Sequence, residues 1–118
     1  MPDNLQVWRP IAAGKRFVIS ANGDETLFNV SVGVNVNGAP ETVWQQADIV
    51  PGPKKRPINA NDRCVFNVLL VAFSDPQQPI TLDAHIAAAD GTPDPQFSGS
   101  WSFLHAGQFV ITIFASNQ

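Results

Sequence analysis

No lysine or arginine occurs after Arg63 in this chain of 118 residues, no tyrosine occurs anywhere, and Cys64 is the single cysteine. Each absence excludes something. One cysteine cannot form a disulfide within the chain, so the fold does not depend on an oxidising compartment. Cys64 opens an apolar run, and its expected place is the core, as a small hydrophobe. A chain without tyrosine lacks the side chain most used in antibody-like recognition surfaces. Charged residues make up 14% of the chain, against about a quarter in ordinary soluble domains.

The split of charge along the chain matters more than its total of -3. Residues 1–63 carry seven basic and six acidic groups; residues 64–118 carry no basic group and only Asp75, Asp83, Asp90 and Asp94. The C-terminal half therefore either hides most of its surface or exposes an unusually uncharged one. The balance argues against nucleic acid as a partner, because no broad basic surface is available to neutralise phosphates. The one dense basic cluster is Lys54-Lys55-Arg56, between Pro53 and Pro57. It reads as a solvated loop whose functional role would be contact with an anion.

No apolar stretch approaches the ~20 residues of a membrane-crossing helix, so no transmembrane segment is expected. The opening Met-Pro-Asp-Asn lacks the basic and apolar regions of a signal peptide. The expectation is a cytoplasmic protein, or one released without a visible signal peptide. The length suits a single domain over residues 1–118, with one core.

What is present is period-two patterning. Phe28, Val30, Val32, Val34 and Val36 alternate with polar or small residues, and Asn37-Gly38 follows as a turn. Phe17–Ser20, Ile80–Ala88, Phe97–Phe103 and Phe109–Ala115 read as further strands, with Leu5–Trp8 as a short strand or arm. Cys64–Phe73 is apolar on both faces, interrupted only by Asn67, as in a fully buried strand. Val43–Val50 reads as a strand carrying Trp44, Gln46 and Asp48 on one face, ended by Pro51-Gly52-Pro53 and a loop to about Asp62. The whole predicts an all-β chain, an antiparallel β-sandwich of seven to eight strands, immunoglobulin-like or jelly-roll.

A two-sheet sandwich needs one apolar face per strand, and the segments 64–73 and 109–115 have two. Spare apolar side chains such as Val110 and Phe114, beside the uncharged Ser98, Ser100 and Ser102, point to a homo-oligomer interface built from the C-terminal strands. Cys64, Phe66, Leu70, Trp101 and Ile111 are expected in or near the core.

Chemistry is sparse. His85 and His105 lie in different elements, and Asp83 with His85 shares one face of a strand but is too splayed for a firm catalytic pair. No catalytic residue is assigned, and the expected function is non-catalytic: a self-associating structural or binding module. Candidate ligand contacts are Trp44, Gln46, Asp48, Asp83 and His85. Trp44 beside amides suggests an exposed platform for a sugar ring, so a carbohydrate-binding, lectin-like module is one alternative. The other is a calcium- or anionic-lipid-binding sandwich, in which Lys54, Lys55 and Arg56 join one of the loops Asn22–Glu25, Asn59–Asp62 or Asp90–Asp94. No cofactor and no metal site is expected, calcium being the exception left open. The same loops read equally well as turns, where Asn, Asp and Gly suit the dihedrals.

Overall fold

In the computed structural model, residues 4–10, 15–59, 61–88 and 90–116 are described, with side chains for 15–59, 61–88, 90–92 and 99–115. Among the described residues, nine strands and one turn of helix follow in chain order: β1 (Asn4–Pro10), β2 (Arg16–Asn22), β3 (Phe28–Val36), β4 (Ala39–Trp44), α1 (Gln46–Ile49), β5 (Lys54–Pro57), β6 (Arg63–Ala72), β7 (Ile80–Ala87), β8 (Pro93–Phe103) and β9 (Gly107–Ser116). They form two sheets, a five-stranded one in the order β1-β9-β6-β3-β4 and a four-stranded one in the order β5-β2-β7-β8. Neighbours are antiparallel except β1, which runs parallel to β9 with Leu5 opposite Ile111 and Trp8 opposite Phe114. The architecture is all-β and consistent with a sandwich.

Alternation decides which side chains enter the space between the sheets. From β6, Cys64, Phe66, Val68, Leu70 and Ala72 are buried, while Val65, Asn67, Leu69 and Val71 point outward. From β3 the five apolar partners Phe28 to Val36 face the same way. The opposite sheet supplies Phe17, Ile19 and Ala21 from β2 and Ile80, Leu82, Ala84 and Ile86 from β7. Phe17 and Phe66, one from each sheet, stack at 4.1 Å between ring centroids, so the two sheets meet through aromatic contact. Of the five expected core residues, Cys64, Phe66, Leu70 and Ile111 are fully buried, and Trp101 is partly buried against the core. Burial raises the Cys64 thiol pKa, which keeps the thiol protonated and unreactive.

Two expectations need correction. Val43–Val50 is not one strand. β4 ends at Trp44, and α1 follows because the Asp48 carboxylate accepts the Gln45 backbone N–H at 3.0 Å, closing the first turn. The basic segment is not a loop. Lys54–Pro57 is an edge strand paired with β2, a place where Pro57 removes no ladder bond that the sheet needs.

Between α1 and β5 the chain turns at Gly52, whose φ of +74° lies in the left-handed region. A Cβ there would stand 2.6 Å from the Ile49 carbonyl oxygen and 2.9 Å from Ser20 Cβ. The turn is thus pressed onto β2, and glycine is what permits it. Gly52→Ala is expected to cost about 1–3 kcal/mol, read as a lower urea midpoint with an unchanged slope. A change within error would mean that the turn lifts off β2 freely.

Candidate functional site

The outward side of the five-stranded sheet is uncharged across four of its strands. The register lines its residues up in rows. Val43, Gly33, Asn67 and Thr112 form one; Ser31, Leu69 and Val110 the next; Asn35, Val65 and Phe114 a third; Asn29, Val71 and Gln108 a fourth. None of these residues is charged. Arg63, opposite Ser116, closes one end. Leu69 is 36% exposed at the centre and Val43 56% at the edge. The polar members partly satisfy one another: Thr112 donates its hydroxyl to the Asn67 amide oxygen at 3.2 Å. Such a face loses little when water is removed from it.

The outward side of the four-stranded sheet is different in kind. Arg16, Val18 and Ser20 from β2 lie beside Thr81, Asp83, His85 and Ala87 from β7, with Ser100 and Ser102 across from Asp83 and Thr81. Lys55 of β5 sits opposite Val18. This side is polar and charged.

The expected interface set is therefore divided. Val110 and Phe114 lie on the uncharged face. Ser100 and Ser102 lie on the charged sheet, because β8 pairs with β7 and the chain changes sheets at 104–106 before β9. The Ser98 side chain is outside the described residues; its backbone is opposite His85. The uncharged face instead recruits β3 and β4, so it is made by both halves of the chain.

Trp44 is not a platform. Its ring is 5% exposed, stacked at 6.3 Å on Phe17, with the Lys54 ammonium 6.0 Å from the ring centroid. A sugar ring has no access to it from solvent. Gln46 and Asp48 are also committed: Gln46 accepts the Val30 N–H at 3.2 Å and donates to the Glu25 carbonyl at 3.1 Å, while Asp48 closes the helix turn.

The basic triplet separates by alternation. Lys54 and Arg56 lie on the core side of the edge strand, opposite Ile19 and Phe17, and Lys55 lies on the outward side. Arg56 grips Glu41 with two bonds, 2.7 and 2.8 Å, stands 3.6 Å from Asp62, and also donates to the Pro57 carbonyl. The Arg56 bond holds the Glu41 carboxyl below its ordinary pKa. Arg56 is thus a tie between β5 and β4. Lys55, by contrast, shares a row with Val18 and His85.

The acidic loops are turns. Asp24 accepts the Thr26 hydroxyl at 2.6 Å, Asp62 the Asn59 N–H at 3.1 Å, and Asp90 the Thr92 N–H at 2.9 Å. The Thr26 and Thr92 bonds lower the pKa of Asp24 and Asp90. Among the described residues, no three His, Cys, Asp or Glu side chains gather as metal ligands. The Asp94 side chain is outside the described residues. No described helix is long and apolar enough to cross a membrane.

Comparison with family models, with curated proteins and with solved structures gave no match.

Proposed function

We propose that this protein is a non-catalytic, self-associating β-sandwich module, in which the outward side of the five-stranded sheet packs against the same side of a second copy. The observation that carries this reading is the uncharged face running across β4, β3, β6 and β9. A charged partner surface would be desolvated there without any compensating charge, whereas a second copy offers the same uncharged, partly apolar face. A twofold axis brings one patch onto itself. Four strands at ~4.8 Å by nine residues at ~3.3 Å give about 570 Å² per copy, at the low end of specific interfaces, where reversible association is common.

Within the sandwich class we favour jelly-roll over immunoglobulin-like connectivity. β8 and β9 are consecutive but lie in different sheets, whereas the last two strands of an immunoglobulin sandwich share one. The non-catalytic reading is supported by His85, which lies opposite Val18 on β2 and has no carboxylate bonded to its ring as an orienting partner among the described residues.

The test is native mass by light scattering after size exclusion at two protein concentrations. An even multiple of the 12.7 kDa chain that dissociates on dilution, or holds at both concentrations, supports the reading. A monomer at both concentrations overturns it.

A further inference from the structure

The outward side of the four-stranded sheet holds a hollow of about 330 Å³ lined by Arg16, Val18, Ser20, Pro51, Pro53, Lys55, His85, Ala87 and Gly91. We propose that this hollow is a binding site for a small organic anion, its oxyanion group held by Arg16, Lys55 and His85.

The strand register builds the arrangement. Val18 lies opposite both Lys55 on β5 and His85 on β7, and Arg16 precedes it by two on the same side. Three nitrogen-bearing side chains from three adjacent strands thus surround one apolar floor. That floor is buried although it belongs to an outward face, because the turn at Pro51-Gly52-Pro53 stands over it as a wall. The wall lies close against β2, since a Cβ at Gly52 would stand 2.9 Å from Ser20 Cβ. The volume is that of a small-molecule site, at the lower end of the ~300–1,000 Å³ range.

Charge points to the ligand. None of the described lining residues is acidic. Asp83 lies one row away, opposite Ser20 and Ser100, and is exposed. Arg16 and Lys55 therefore lie on neighbouring strands with no carboxylate between them among the described lining residues, an arrangement that an anion would complement. The chain treats its other partly buried arginine differently: Arg56 is given Glu41 and Asp62. Arg16 has no such partner among the described residues, and its Nε is buried without any acceptor. A planar guanidinium with free donors suits the two oxygens of a carboxylate or a phosphate. The Ser20 hydroxyl adds a donor, and Pro51, Pro53 and Ala87 offer apolar contact to the body of the ligand.

The experiment is a titration followed by amide and imidazole NMR shifts, using benzoate and phenyl phosphate, with neutral benzyl alcohol as the uncharged control. Saturable shifts at Val18, Ser20, Lys55 and His85 with either anion, and none with benzyl alcohol, are expected. The tighter of the two anions distinguishes a carboxylate from a phosphate ligand. Arg16→Gln should weaken binding by about tenfold or more, and Lys55→Gln by several-fold. Arg63→Gln, on the other sheet, should leave it unchanged. Should Arg16→Gln fail to fold, the exposed Lys55 still supplies the readout. The proposal is overturned if neither soluble anion saturates, if benzyl alcohol binds as well, if Arg63→Gln weakens binding equally, or if only vesicles of phosphatidic acid bind.

Discussion

Phe66→Ala is expected to remove about 3–5 kcal/mol of folding stability, a large share of the ~5–15 kcal/mol that holds a domain of this size together. Phe66 is fully buried near the middle of β6, a strand paired on both sides. Its ring stacks on Phe17 of the other sheet at 4.1 Å and lies 6.4 Å from Trp44. Truncation leaves a cavity that rigid strands on both sides cannot close, and it deletes the aromatic contact that joins the sheets. The melting temperature should fall by roughly 10–20 °C. Trp44 loses a neighbouring ring, so native-state fluorescence should shift to the red in the same variant. Phe66→Leu keeps most of the volume and should cost less than about 1.5 kcal/mol. A loss below 1 kcal/mol for Phe66→Ala would mean that the sheets are not joined through this stack.

How far the sequence could be read depended on the range of the interaction involved. Strand patterning is local, and it located β3, β6, β7 and β9 and placed Phe66 and Leu70 in the core, but β6, expected to be buried on both faces, exposes Asn67 and Leu69 on its outward side. The position of Trp44 is not local. Thr42, Gln45 and Gln46 suggested exposure, yet Phe17 and Phe66, distant in the chain, cover its ring. The strand at 54–57 was hidden by its composition. Two prolines and three cations read as loop, whereas an edge strand with Lys54 over Trp44 and Arg56 on Glu41 tolerates both. Sheet membership was also invisible: Ser100 and Val110 look like neighbours until the chain changes sheets between them. The hollow had the weakest signal of all. In the pattern Lys55 belongs to a basic cluster and His85 to a separate strand, and nothing marks Arg16. Only the β5-β2-β7 order brings the three around Val18.

Leu69→Lys should convert an oligomer to a monomer while leaving the fold intact. Leu69 is already partly solvated in the single chain, on the outward side of β6, so a lysine there can extend into water without disturbing the core behind it. In a face-to-face contact the same position is central, with Ser31 and Val110 in its row. No carboxylate occupies that row, and a twofold contact brings a second lysine to the same region. Unpaired charge in such a setting costs several kcal/mol, and each ~1.4 kcal/mol weakens association about tenfold. A drop of roughly 100-fold or more is expected in the association constant. Ser100→Lys makes the same change of charge on the four-stranded sheet and should leave the mass unaltered. The reverse result would transfer the contact to that sheet and would also cover the hollow around Val18. The two surfaces therefore make a joint demand: if copies meet through Leu69, the hollow opens on the far side of each, and anion binding at Arg16 must survive dissociation by Leu69→Lys.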